Sequence, residues 1–216
     1  YNIKLDGYVE VGFDAVKAIV NAVGGVEIEL TESEAAYLNA TNYIRPAKYR
    51  NVKAGTHILN GAQALGYSRI RKQAKGITPV TPNGKMDDYG RTWRQRNVIN
   101  AIFNKAKGTS LPKMMDMAQT ILSKYVTTDL NSQDIIGYMK DVVMMGTMEI
   151  YQLQIPMDGY FTTQANYQAP GSTTNLGSVI LPDMTTNTAA LKDFIFKYKG
   201  TPGQEYTYCG STAAPQ

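Results

Sequence analysis

A chain of 216 residues, 43% hydrophobic and 19% charged, has the composition of a folded domain rather than of a disordered or fibrous protein. The net charge of +4 is compatible with polyanionic wall polymers, anionic lipid or nucleic acid and selects none of them. One cysteine, Cys209, and one histidine, His57, exclude a disulfide framework, a multi-cysteine zinc centre and a His-rich metal site, and leave a serine–histidine triad without a nucleophile near His57.

The elements alternate along the chain. Tyr8–Val11 reads as a strand, and Asp14 as the cap of a helix whose apolar positions Val16, Ile19, Val20 and Val23 keep helical spacing up to Gly24-Gly25. Val26–Leu30 alternates with period two, a half-buried strand. Thr31 and Glu34 form a capping box for a helix to about Ala40, and residues 41–58 read as a loop. Asn60 caps a short helix to about Gly66, Tyr67–Arg71 reads as extended, and residues 72–87 read as a flexible surface loop. Helices follow over about 90–107, 111–124 and 132–145, then strands at Met148–Pro156 and Ser178–Leu181 and a helix from Asp183 or Thr185 to about Tyr198. The methionines at 114, 115, 117, 144, 145 and 148 read as core filling, and residues 200–216 as a polar tail holding Cys209. About four strands against six or seven helices is a small sheet for a layered α/β domain.

Five of the seven arginines fall within residues 69–96, and arginine in place of lysine favours fork-like recognition of oxyanions. On the helix beginning near Gly90, the apolar stripe through Val98 and Ile102 extends back onto Gln95, Arg94 and Arg91, while Trp93 and Arg96 point elsewhere. A buried guanidinium needs an anion, and a helix N-terminus favours phosphate. In an extended segment Arg69 and Arg71 share a face, and a diphosphate between them would offset their repulsion. Asp88, with Asp87, has four open roles: helix cap, ion-pair partner, ligand of Mg2+, or general base. The competing explanations of the cluster are structural ion pairs, a solvated face and nucleic-acid contact.

Three runs, Gly12–Asp14 with Val23–Val26, Leu59–Arg71, and Asp88–Arg96, resemble in order and spacing the LytR-CpsA-Psr family, covering roughly residues 8–107. That resemblance implies an α/β (α+β) fold, a three-layer α/β/α sandwich with a central mixed sheet, in one domain over residues 1–199. It implies an extracytoplasmic, membrane-anchored, Mg2+-dependent phosphotransferase that moves a glycopolymer from a polyprenyl-pyrophosphate carrier to peptidoglycan. Arg69, Arg71, Arg91 and Gln95 would bind the pyrophosphate, with Asp88 and Arg91 catalytic and Asp88 a possible metal ligand. The prenyl tail would lie in an apolar tunnel between sheet and helices, and nucleic acid is not a partner.

Two departures from the family pattern carry expectations of their own. The segment between Arg71 and Asp88 is long. The family's N-terminal strands, with a pair of aspartates and further arginines, have no counterpart here, nor does the membrane anchor. The chain is therefore expected to be part of a longer protein and inactive alone. The alternative function is a non-catalytic module that binds polyanionic wall polymer.

Overall fold

The computed structural model describes residues 1–144 and 150–197. The mixed α/β class is as expected, and no helix among the described residues is long and apolar enough to cross a membrane. The expected domain over residues 1–199 divides into two compact units, Asp6–Met148 and Tyr1–Leu5 with Glu149–Gln216.

In the larger unit, β1 (Val9–Val11) pairs antiparallel with β4 (Val126–Thr128), and β2 (Val26–Leu30) with β3 (Gly55–Leu59). The expected central mixed sheet is thus replaced, among the described residues, by separate two-stranded antiparallel ladders. β3 and β4 lie where no strand is expected, because neither alternates cleanly: only Leu59 of β3 is buried. In β2 the alternation is complete. Val26, Ile28 and Leu30 point inward and Glu27 and Glu29 outward. Each buried aliphatic contributes on the order of 1.5–3 kcal/mol, to a core shared with Tyr37, Leu38, Ile44, Tyr67, Ile70 and Val98.

The helices are α1 (Phe13–Ala22), α2 (Glu32–Ala40), α3 (Gly61–Arg69), α4 (Asp87–Ala106), α5 (Leu111–Tyr125) and α6 (Ser132–Met144). The capping boxes Thr31/Glu34 and Asn60/Gln63 are both formed. Asp14 is not the cap of α1; Gly12 holds that position without a side-chain bond, and Asp14 sits in the first turn. After α1 the chain reverses through Gly24 and Gly25, both at positive φ, with the Gly25 amide donating to the Val20 carbonyl at 2.8 Å.

α3 begins hard against α1. A Cβ on Gly61 would overlap the Lys17 carbonyl, and the Gly61 amide donates to Asn21 Oδ1 at 2.8 Å. Both obstacles are main chain or buried contact, so Gly61→Ala is expected to cost about 1–3 kcal/mol or more. Urea denaturation checks this, and an unchanged midpoint would refute it.

In the smaller unit β5 (Phe161–Gln164) pairs antiparallel with β6 (Val179–Pro182), followed by α7 (Met184–Phe196). Asp183 caps α7, and the Thr186 hydroxyl and amide bound to it hold its carboxyl below its ordinary range. The expected strand Met148–Pro156 lies partly outside the described residues; over 150–156 the chain is not a strand and only Gln152 makes a bridge. The expected tail 200–216, with Cys209, lies outside the described residues.

Candidate anion site

α4 opens with Met86 as N-cap and no side-chain cap, leaving the first amides of a 20-residue helix without helical acceptors. Asp87 has φ +48, a left-handed conformation that costs a non-glycine residue about 1–2 kcal/mol. Asp88 and Arg91 follow on one face of the helix at i, i+3.

Asp88 Oδ1 is held from two sides, by Arg71 Nε at 2.8 Å and Arg91 Nη2 at 2.7 Å. The three side chains are each about one-third to one-half exposed, so these are screened surface ion pairs. They are close by distance but poorly aligned: Asp88 Oδ1 and Arg91 Nε are both shielded from solvent and neither has a hydrogen bond of acceptable geometry. Two guanidinium groups on one carboxylate leave the cluster with a net charge of +1. The carboxylate sits where an added anion would meet both forks.

Not all the expected residues arrive there. Tyr67, Ser68 and Arg69 are helical, the last turn of α3, so Arg69 and Arg71 do not share an extended face. Arg69 lies against two aromatic rings, 4.7 Å from the centre of Phe13 and 5.4 Å from that of Tyr43. The cause is that α3 runs one turn beyond Gly66, which packs tightly on Ile44. Gln95 is exposed rather than inward, and Trp93 packs against the core. The inward position belongs to Arg94, which is fully buried.

Arg94 was placed inward by periodicity, but its partner is 60 residues away. Its Nε donates to Glu34 Oε1 at 2.7 Å, and Glu34 is also fully buried. Nη1 donates to the Ile70 carbonyl at 3.3 Å and Nη2 to that of Pro79 at 3.2 Å. Burial pushes the Glu34 carboxyl up, against the downward pull of the Thr31 amide and Arg94. Glu34 gives no sequence signal beyond its role in the capping box. Asn97 donates to the Tyr67 hydroxyl at 3.2 Å, and burial holds that phenol well above its ordinary range, hence neutral.

The segment 72–86 is less loose than its composition suggests. Ala74 and Ile77 exchange amide bonds around Lys75-Gly76, both at positive φ, and Thr81 closes a second turn onto Lys85. Its length leaves Arg71 next to Asp88 all the same.

A paired-arginine site at a helix start does not by itself name a family. The LytR_cpsA_psr family model, however, matches residues 1–179. The chain belongs to this family. A relative in Enterococcus faecalis (strain ATCC 700802 / V583), polyisoprenyl-teichoic acid–peptidoglycan teichoic acid transferase TagU, is 31% identical over 77% of this chain and 48% of its own length. TagV of Bacillus subtilis (strain 168), a transferase of the same description, is 30% identical over 59% of this chain and 29% of its own. The chain thus spans about a third to a half of these curated relatives.

Among solved structures, that of B. subtilis TagV has a TM-score of 0.56 at 24% identity, covering 92% of this chain and 66% of that one. The Lin1025 protein of Listeria innocua gives 0.57 at 21%, covering 89% and 69%. These likenesses establish the fold: a mixed α/β arrangement common to the family.

Among the described residues no group of three or more His, Cys, Asp or Glu side chains could hold a metal ion. With Oδ1 already between two guanidinium groups, Asp88 would hold Mg2+ only together with substrate oxygens, the usual arrangement for that ion.

Proposed function

We propose that this chain carries part of the active site of a phosphotransferase that moves a glycopolymer from a polyprenyl diphosphate to peptidoglycan. The observation that carries this reading is the misaligned Arg71–Asp88–Arg91 cluster at the start of α4. A bridging diphosphate offers several oxygens to two forked donors, where Asp88 offers one oxygen to both. The diphosphate displaces the carboxylate from the guanidinium groups. Asp88 is then free to accept the proton of the incoming sugar hydroxyl as that oxygen bonds to the sugar-side phosphorus, while the P–O–P bond breaks and Arg71 and Arg91 neutralise charge on the leaving polyprenyl monophosphate. The relatives' transferase descriptions support the same chemistry. In this reading the exposed Gln95, one turn beyond Arg91, is left for the sugar side, and Arg69, held against Phe13 and Tyr43, supports the site from α3.

Mg2+ belongs in this reading as a companion of the substrate, and Asp88 is the carboxylate of this cluster that would help to hold it. Bound there, it would supply charge neutralisation. An extracytoplasmic, membrane-anchored setting follows from such a substrate and acceptor. Farnesyl diphosphate is expected to bind the chain in titration calorimetry and farnesol to bind far more weakly. Equal affinities would remove the diphosphate from the reading.

An apolar cavity of about 410 Å3 between α5, β4 and α6, lined by Met115, Ala118, Leu122, Leu130, Ile135 and Ile136, suits the prenyl tail. Its volume lies in the range of small-molecule pockets, ~300–1,000 Å3. Ala118→Phe fills it and is expected to weaken farnesyl diphosphate about 10-fold, equivalent to ~1.4 kcal/mol of lost apolar contact. Inorganic pyrophosphate should be unaffected; a parallel loss for both ligands would mean the tail does not lie there.

A further inference from the structure

Nothing in an exposed anion site requires a buried guanidinium, yet Arg94 is wholly enclosed one turn beyond Arg91 on the same helix. Its three nitrogens donate to three segments: Glu34 on α2, the carbonyl of Ile70, and the carbonyl of Pro79. Ile70 is the residue before Arg71. Pro79 lies midway along the segment that Arg71 begins, just beyond the Ala74–Ile77 turn. A second tie holds the same point to the start of α2, where Thr31 Oγ1 donates to the Val80 carbonyl at 2.8 Å and the Val80 amide donates to Ser33 Oγ at 3.0 Å. Gly90 leaves room for this arrangement, since a Cβ there would come within 2.9 Å of Arg94 Nη1.

We propose that Arg94, oriented by Glu34, is a positioning residue that sets the separation of Arg71 and Arg91 to span a diphosphate. The inference rests on the reading of Arg71 and Arg91 as the diphosphate site. Its physical content is that Arg71 stands on an exposed connection, whose backbone would drift without a tie. Arg94 joins that backbone to the helix turn carrying Arg91, so the two exposed forks keep one geometry before the ligand arrives. Glu34 fixes the third donor and so the plane of the guanidinium. A planar fork can serve three segments at once; an ammonium group at the end of a lysine can meet Glu34 but not all three.

The test compares farnesyl diphosphate affinity in the 216-residue chain for the wild type, Arg94→Lys, Arg71→Ala and the double variant. Arg94→Lys is expected to bind on the order of 10- to 100-fold more weakly while still melting cooperatively, the effect of a site misplaced by about an ångström. Arg71→Ala should then cost much less in the Arg94→Lys background than in the wild type, because Arg71 is already out of place. A merely structural role for Arg94 would leave the two effects independent. A folded Arg94→Lys that binds like the wild type, or an Arg71→Ala loss equal in both backgrounds, would overturn the positioning role. Arg71→Ala without effect in the wild type would instead sink the site reading, and this inference with it. Should Arg94→Lys fail to fold, amide exchange in the wild type decides. The Ile77 and Val80 amides are expected to exchange as slowly as those of β2, and exchange within seconds would overturn the tie.

Discussion

Replacing Arg91 by alanine is expected to weaken binding of farnesyl diphosphate on the order of 10- to 150-fold, with little change in melting temperature. A hydrogen bond to a charged group contributes about 1.5–3 kcal/mol, which sets that range. The loss has two parts. Arg91 supplies one of the two forks, and it also holds Asp88 Oδ1 at 2.7 Å. Without it the carboxylate is less neutralised and repels the incoming anion. Arg71→Ala removes the other fork, at 2.8 Å from the same oxygen, and should fall in the same range. Stability should hardly move, because pairs this exposed contribute roughly 0–1 kcal/mol.

The sign for Asp88 is opposite. Asp88→Asn removes the negative charge from between the guanidinium groups, so inorganic pyrophosphate is expected to bind the variant more tightly than the wild type. Transfer of glycopolymer, measured in cells as wall-attached polymer, should be lost with the carboxylate. Tighter binding together with lost transfer separates a base from a structural ion-pair partner. Weaker pyrophosphate binding by Asp88→Asn would mean that the carboxylate organises the arginines rather than occupying their ligand's place. All these affinities should fall with added salt, since the groups lie within reach of solvent screening.

Periodicity made much of this legible and misled where its premises failed. β2 and both capping boxes are local patterns, and the structure reproduces them. The stripe through Val98 correctly turned Arg94 inward but carried Gln95 and the part-exposed Arg91 with it. A 100° step blurs the edge of a face, and Gln95 lies on the solvent side of that edge. The extended reading of Tyr67–Arg71 failed because burial of Leu65, Tyr67 and Ser68 against the core sustains α3 past Gly66. Asp88 and Arg91 are neighbours in sequence and could be paired from spacing. Arg94 and Glu34 could not. Their pairing depends on α2 and α4 packing over the same core, a tertiary fact with no local trace in either segment.

That buried pair carries the largest expected effect on stability. Arg94→Met removes the guanidinium that donates to Glu34 Oε1 and the donors to the carbonyls of Ile70 and Pro79. Breaking a buried ion pair from one side typically costs about 3–5 kcal/mol, and a similar loss is expected here in urea denaturation. The pH dependence has a definite sign. Burial already raises the Glu34 carboxyl with Arg94 present. Losing Arg94 removes the side-chain bond and the charge that oppose that rise, so the folded variant keeps its proton to higher pH than the unfolded chain does. Below the ordinary glutamate value of about 4.3 both states are protonated and no ionisation penalty arises. As pH rises above it the unfolded state ionises first in both proteins, and the variant falls behind the wild type only above the wild type's own raised Glu34 value, up to the variant's still higher one. The deficit should therefore be smaller at pH 5 than at pH 8. In Glu34→Met/Arg94→Met the charge penalty disappears from both partners, and apolar side chains of similar volume should recover most of the stability at both pH values. A double variant as unstable as Arg94→Met would show that the orphaned carbonyls, not the stranded carboxylate, dominate. A recovered double variant that still binds diphosphate weakly would separate the two roles of Arg94, the neutralised charge inside the fold and the fork that holds Arg71 in place outside it.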